Sequence, residues 1–387
     1  MSSKRMLSLD AFRGVAVLLV LGRHLPEAAN ADGDSSWGAL LTIWHRGGWI
    51  GVDLFFVLSG FLVSGLLFRE YQRTGGLDVG QFLVRRAFKI YPAFYVLLGF
   101  SVAALLLLQP RTLPWTAVFC EALFVQNYGP AIWGHTWSLA VEEHFYLLLA
   151  LSLVFIKWRS RDSNDPFRPL LISFAGIAVG SLLLRLECTW RVPFAVKSHL
   201  FPTHLRLDSL SFGAAISYLY HFHREWFTEL LRGKANWLTM LALVVLVPPF
   251  VFPLENSHFL PTIGLTCLYV AGGLLICAWL TKPLPEVFLV RGLAWIGYFS
   301  YSIYLWHYFV VRLLAIKFAL NLASGTLSWQ FCVLYLSGSV LLGVIMAKLV
   351  ELPCLAIRDR WFPSRTSPSQ PTCRGSSGQL LSTPSTS

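Results

Sequence analysis

Three groups of polar residues stand inside otherwise apolar stretches of this 387-residue chain, and each carries side chains that move protons or bind anions. The first is Arg13 with His24. Eleven residues of α-helix, at about 100° and 1.5 Å each, make roughly three turns, so both side chains leave nearly one face, roughly 16 Å apart along the axis. That face presents a permanent cation at one end and a titratable imidazole at the other. An arginine within a membrane span costs on the order of 3 kcal/mol on insertion scales, which makes a functional site the default reading. The bland alternative has Arg13 and His24 snorkelling to opposite headgroup layers. Their common face favours chemistry.

The second group is Trp133, His135, Trp137, Ser138, Glu142, Glu143, His144 and Tyr146. Adjacent carboxylates at an apolar boundary need partners or water. Neighbouring helix positions point about 100° apart, so one of the two faces the bundle interior. Glu142 is the expected one, with Ser138 a turn before it. The competing reading is an interfacial aromatic belt with snorkelling acids. The third group is Ser300, Tyr301, Tyr304 and His307, in which Ser300, Tyr304 and His307 follow the i, i+4, i+7 spacing of one helical face. Such a stripe serves catalysis or an interhelical hydrogen-bond seam. Arg206 and Asp208 are expected to form a mutual ion pair, and Asp53 to partner another of these cations.

The elements that must position these groups are membrane helices. Hydrophobic residues make up 55% of the chain and charged ones only 13%, with a mean hydropathy of +0.59. Soluble domains carry about 25% charged residues. Apolar runs long enough to cross a hydrocarbon core of about 30 Å recur throughout, and period-two alternation does not dominate, which disfavours an outer-membrane barrel. The net charge of +11 comes from clusters between the apolar runs, a pattern of membrane topology and not of nucleic-acid binding. The seven cysteines form no CxxC pair and no zinc-type spacing with histidine, so no metal is expected. Lys4, Arg5, the apolar stretch Val15 to Leu21 and Ala29-Asn30-Ala31 imitate a secretory signal. Asp10, Arg13, Arg23 and His24 interrupt it, and a retained first span is the expectation.

These patterns predict an all-α integral membrane bundle of ten helices, near 9–26, 48–68, 90–109, 137–157, 169–187, 205–222, 237–254, 260–280, 292–317 and 329–350. With alternating direction, the basic clusters around Lys4, Arg85, Lys157, Arg232, Lys282 and Arg358 fall on one side, which the positive-inside rule makes cytoplasmic, together with both termini. The stretch Trp115 to Gln126 is too short to cross and contains Glu121, so it is expected to be an interfacial or re-entrant helix on the outer side. Residues 1–360 read as one membrane domain and 361–387, rich in Ser, Thr, Pro and Gly, as a disordered cytoplasmic tail.

Several strings are specific: Leu9-Asp10-Ala11-Phe12-Arg13-Gly14 with His24 following, Gly51-Val52-Asp53-Leu54-Phe55-Phe56-Val57-Leu58-Ser59-Gly60, Arg85-Arg86-Ala87-Phe88-Lys89-Ile90-Tyr91-Pro92, Trp137-Ser138-Leu139-Ala140-Val141-Glu142-Glu143-His144-Phe145-Tyr146, and Ser300-Tyr301-Ser302-Ile303-Tyr304-Leu305-Trp306-His307. In this order they strongly resemble the acyltransferase-3 family, over roughly residues 5 to 355. The resemblance implies a membrane enzyme of the bacterial inner membrane that moves acyl groups, often acetyl, from cytoplasmic acyl-CoA to hydroxyls of carbohydrates or glycolipids. It implies that Arg13 and His24 are the family's arginine-histidine pair, and that Arg85 and Arg86 belong to its cytoplasmic basic motif. Lys89 stands where arginine is usual, keeping charge but not bidentate phosphate geometry. Many relatives also carry an extracytoplasmic hydrolase-like domain. None is read here, so either this domain acylates the acceptor itself or a separate extracytoplasmic partner does.

The mechanism expected from this resemblance has Arg13, Arg85, Arg86 and Lys89 binding CoA phosphates and His24 acting as general base. Glu142 would orient the imidazole, and His307 or Tyr304 would donate to an oxyanion. A covalent acyl-enzyme on histidine or tyrosine is the alternative chemistry. Acyl-CoA is a donor substrate, and no permanently bound cofactor is expected. A secondary transporter of acidic or acylated molecules uses the same residue types, but the repeated halves common in transporters are not detected.

Overall fold

The structure, a computed structural model, describes residues 3–25, 36–108, 113–160, 165–317 and 329–364. The signal-like Ala29–Ala31 stretch and nearly all of the expected tail lie outside the described residues. Within them the chain is helical and forms no strand. The helices are α1 (Ser3–Arg23), α2 (Ser36–Gly47), α3 (Ile50–Thr74), α4 (Val79–Leu108), α5 (Trp115–Ala122), α6 (Trp137–Arg159), α7 (Pro169–Arg191), α8 (Val196–Leu200) and α9 (Leu207–Phe222). They continue as α10 (Arg224–Leu231), α11 (Ala235–Val245), α12 (Pro248–Val251), α13 (Leu265–Thr281), α14 (Phe288–Tyr298), α15 (Ser300–Lys317), α16 (Trp329–Met346) and α17 (Leu352–Trp361).

Among the described residues, six helical stretches are long and apolar enough to cross a membrane: Ile50–Thr74, Val79–Leu107, Gly134–Arg159, Pro169–Arg191, Leu260–Thr281 and Trp329–Trp361. A bent pair, Arg224–Leu231 with Ala235–Val251, turns by 77° and brings the number to seven if counted as one span. Helix occupies all ten expected places, yet α9, at 16 residues, is too short for that set, and α1 and α15 are too polar, since α1 carries Asp10, Arg13 and Arg23 and α15 carries His307 and Arg312. The expected ninth span is broken at Phe299 into α14 and α15. The expected third span starts well before residue 90, so Arg85, Arg86 and Lys89 sit in α4 and not in the loop before it. Arginine and lysine are good helix formers, and nothing in Val79–Ile90 breaks the helix.

Burial runs opposite to that of a soluble protein. In α7 the buried residues are Leu170, Ser181 and Arg185, whereas Ile172, Val179, Leu183 and Trp190 are exposed. A helix that turns serine and arginine inward and large apolar side chains outward is stable only where its surroundings are apolar. This is a multi-pass helical membrane protein.

Small residues set how closely the central helices approach. A Cβ added at Gly60 of α3 would stand 1.9 Å from the Leu210 carbonyl oxygen of α9, and one at Gly213 would stand 2.0 Å from that of Val57. In α1 and α14, a Cβ at Gly14 would meet the Leu293 oxygen at 2.0 Å, and one at Gly297 the Asp10 oxygen at 1.8 Å. Backbone-to-backbone contact of this kind replaces the hydrophobic drive that lipid cannot supply. Gly297→Ala is therefore expected to destabilise the protein by about 1–3 kcal/mol or more through overpacking. Gly292→Ala in the same helix, with nothing within 4 Å of its added Cβ, is expected to be neutral or stabilising; thermal unfolding in detergent compares the two.

Candidate active site: two cavities sharing one wall

Two cavities lie in succession between α1, α3, α6 and α15. The first, of about 160 Å³, is lined by Arg13 of α1, Ser59 of α3, Arg86 and Lys89 of α4, Ser138, Glu142 and Tyr146 of α6, and Ser300, Tyr301 and Tyr304 of α15. The second, of about 260 Å³, is lined by His24 just past α1, Trp49 and Asp53, His135 and Trp137, Phe201 and Arg206, and Tyr304 and Tyr308 of α15. Val52 and Tyr304 border both. The eleven residues from Arg13 to His24 thus link the two cavities along one helix face, as their spacing predicts.

Chain direction follows from the same linings. α1 and α15 run from the first cavity to the second, and α3 and α6 run back. α4 runs with α1, since Arg86 and Lys89 reach the first cavity while its Ser101 accepts a 2.7 Å hydrogen bond from the Trp133 indole, next to the second. The first four expected spans and the ninth therefore alternate as predicted. α5 sits at the second cavity's end, where buried Glu121 accepts hydrogen bonds from the Trp133 amide at 2.9 Å and the Thr136 hydroxyl at 3.1 Å. Its eight residues, about 12 Å of helix, are too short to cross.

The first cavity is built from charged groups with partners. Arg13 donates to Asp10 at 2.7 Å. Lys89 donates to Glu351, which also accepts from the Ser302 hydroxyl at 2.6 Å. The Arg86 guanidinium lies 5.8 Å from the Tyr146 ring centre. Glu142 accepts from Ser59 at 2.8 Å and Tyr146 at 2.7 Å, whereas Glu143 points to the Tyr91 hydroxyl at 3.0 Å. Glu142 is thus the carboxylate that faces the cavity, with Ser138 on the same side. Arg85 departs from expectation: it donates to Asp359 at 3.0 Å and to the Phe362 carbonyl, and does not line the cavity. Arg85 and Arg86 are adjacent on a helix, so both cannot face one site.

In the second cavity Arg206 donates to Asp53 at 2.6 Å, with both side chains buried. The expected Arg206–Asp208 pair does not form; Asp208 instead accepts from Arg185 of α7 at 2.8 Å. Two buried ion pairs therefore stand side by side, each joining different helices. The expected alignment of Glu142 with His24 also fails, because they line different cavities. His307 is the group that holds His24. The His307 Nδ1 meets the Tyr304 carbonyl, which can only accept, so Nδ1 carries the proton and Nε2 is bare. The His24 Nδ1 meets the Val20 carbonyl at 2.9 Å and the His307 Nε2 at 3.2 Å. It must therefore be the protonated nitrogen, which leaves His24 Nε2 as an acceptor. His307 is fully buried behind His24 and lines neither cavity, so the expected oxyanion role does not fit it. The Tyr304 hydroxyl is engaged at 2.6 Å with both the His135 carbonyl and the Ser138 hydroxyl.

Sequence reasoning placed His135 in the second polar group but gave it no role, and it missed Arg185 and Glu351. An arginine set among leucines in α7, Leu182-Leu183-Leu184-Arg185-Leu186, and a glutamate in the apolar run before α17 were the available signals. Among the described residues no three His, Cys, Asp or Glu side chains are grouped to hold a metal ion.

A family described as an acyltransferase domain matches residues 6–348, which span both cavities. The chain belongs to the acyltransferase-3 family. It is 29% identical over 337 residues to the peptidoglycan O-acetyltransferase OatA of Listeria monocytogenes, covering 81% of this chain and 50% of that protein. It is also 29% identical over 329 residues to a Bacillus subtilis protein named "Putative peptidoglycan O-acetyltransferase YrhL", covering 79% and 48%. A Staphylococcus aureus protein named as a "Putative O-acetyltransferase" is 26% identical over 326 residues, covering 78% and 50%. The acyltransferase chain spans about half the length of these curated relatives. No solved structure matches it.

Asp208→Ala strands a buried Arg185 and is expected to cost about 3–5 kcal/mol. The double variant Asp208→Ala with Arg185→Met should recover most of that loss in detergent thermal unfolding.

Proposed function

We propose that this acyltransferase domain moves an acetyl group from cytoplasmic acetyl-CoA to a hydroxyl of an extracytoplasmic carbohydrate, within a bundle of ten spans whose termini are both cytoplasmic. The observation that carries the reading is the wall of Val52 and Tyr304 between two cavities of different chemistry. On one side, Arg13, Arg86 and Lys89 line the cavity with Glu142 as its one carboxylate, while Asp10 and Glu351, which pair with Arg13 and Lys89, do not line it; the donors turned to the cavity suit the phosphates of CoA. Basic residues at that end of the bundle, such as Lys157 and Arg159 closing α6, favour the cytoplasm by the positive-inside rule. On the other side stands a histidine with a bare nitrogen. The printed names of the relatives support O-acetylation of a glycan.

In this reading the pantetheine arm enters from the first cavity and presents its thioester at the shared wall. His24 Nε2 takes the acceptor hydroxyl proton as the hydroxyl oxygen attacks the thioester carbonyl. The new C–O bond forms, the C–S bond breaks, and the CoA thiolate leaves and takes up a proton. The Val20 carbonyl and His307 Nε2 hold the imidazole by its Nδ1–H and steady the imidazolium that forms.

The test is transfer of labelled acetyl from acetyl-CoA to envelope glycan by membranes at matched protein levels. His24→Ala is expected to lower the rate by about 10²–10⁴; an unchanged rate would overturn the assignment. Arg86→Ala should raise KM for acetyl-CoA by roughly tenfold or more, as expected for a charge-assisted phosphate contact. Arg85→Ala, outside the cavity, should leave KM within about threefold, the range of surface substitutions.

A further inference from the structure

Several buried polar atoms on residues of the second cavity have no hydrogen-bond partner among the described residues: Asp53 Oδ2, Arg206 Nη1 and Nε, Trp49 Nε1 and His135 Nδ1. All four residues line it. Buried polar atoms left in this state are costly unless something satisfies them. His135 already donates from Nε2 to the Leu305 carbonyl at 3.2 Å, so its Nδ1 is a bare acceptor. The unsatisfied set therefore mixes donors, on Arg206 and Trp49, with acceptors, on Asp53 and His135.

That mixture selects among ligands. A phosphate or carboxylate offers only acceptors and would set its oxygens against Asp53 Oδ2 and His135 Nδ1. Charge disfavours it too, since Arg206 is matched by Asp53 at 2.6 Å and Arg23, on the same cavity, by Glu255 at 3.5 Å. A hydroxyl both donates and accepts, and can bridge the ion pair by donating to Asp53 Oδ2 while accepting from Arg206 Nη1. Trp137, stacked on Phe201 at 4.7 Å between ring centres, supplies an apolar aromatic wall beside these groups. About 260 Å³ lies just under the ~300–1,000 Å³ range of small-ligand sites, room for one ring and not for several.

We propose that the Asp53–Arg206 pair, with Trp49 and His135, is a recognition subsite for an uncharged polyhydroxylated ring, gripping a hydroxyl other than the one that His24 deprotonates. The proposal rests on the acetyl-transfer reading and adds which residues choose the acceptor.

The experiment uses the full chain in lipid nanodiscs, with both faces open, labelled acetyl-CoA as donor, and methyl glycosides of hexoses and N-acetylhexosamines with their single-deoxy analogues as acceptors. Acetyl-CoA hydrolysis without acceptor is followed in parallel. Asp53→Asn is expected to raise the acceptor KM by tenfold to a hundredfold, the range for a charge-assisted hydrogen bond, and to leave KM for acetyl-CoA unchanged. One deoxy analogue should lose the same factor with the wild type and lose nothing further with Asp53→Asn, the non-additivity of groups in contact. Trp49→Phe, which keeps the ring plane and removes only the N–H, should raise the acceptor KM severalfold and keeps the proposal testable where Asp53→Asn does not fold. An unchanged acceptor KM in the folded variants would overturn the subsite. So would wild-type hydrolysis of acetyl-CoA with transfer to none of the glycosides. Absence of both hydrolysis and transfer would instead overturn the underlying acetyl-transfer reading.

Discussion

A hydrocarbon slab supplies neither water nor counter-ions, so every charge carried into it must find its partner inside the bundle. The rest of this structure follows from that requirement. Asp53 of α3 meets Arg206 at the entry to α9, Asp208 of α9 meets Arg185 of α7, and Lys89 of α4 meets Glu351 beyond α16. Each pair joins different helices, and Asp53–Arg206 and Lys89–Glu351 join elements 153 and 262 residues apart in sequence. Breaking one leaves a stranded charge, so the pairs act as registration marks for helices whose apolar faces would otherwise slide against lipid or each other with little preference. The inverted pattern of α7, with Arg185 inward and Trp190 outward, is the same constraint seen from the surface.

Close packing then turns registration into a site. The glycines that bring α1 onto α14 and α3 onto α9 set where α1 and α3 stand, and the space left between α1, α3, α6 and α15 forms two cavities with a shared wall. Tyr304 closes the boundary, tied to the Ser138 hydroxyl and the His135 carbonyl. The two sides differ because each helix changes character along its length. α1 passes from Arg13 at the first cavity to His24, just past its end, at the second, and α6 starts two residues after His135 and reaches Glu142 a turn and more further on. In the acetyl-transfer reading proposed above, this separation keeps a charged donor and a neutral acceptor apart except where they must react.

Much of this was legible in the residues. The arginine and histidine on one face of the first helix, the inward choice of Glu142 over Glu143, the Ser300–Tyr304–His307 stripe and the short non-crossing Trp115 helix all depend on helical geometry within one segment. That geometry is local and periodic. The misreadings of partners concern relations between segments, whereas the early start of α4, which sets Arg85 and Arg86 on adjacent helix positions, and the break at Phe299 are local. Arg206 and Asp208 are two residues apart and looked like partners, but each side chain turns to a different helix. Glu142 and His24 looked like an acid and its imidazole, and they belong to different cavities. Arg85 and Arg86 looked like one anion site, and only Arg86 faces it.

Composition and hydropathy alone determined that the chain is a helical membrane protein, and the ordered motifs alone pointed to its family. Spacing alone determined which side chains share a face. Only the tertiary structure decided that His307 and not Glu142 holds His24, that Asp53 takes Arg206, and that Arg185 and Glu351 complete the buried pairs. The reason is physical: a helix's own periodicity is written in its sequence, whereas its rotation and depth against a neighbour are set by close packing and by which distant charge can be neutralised, and those terms exist only once the helices have met.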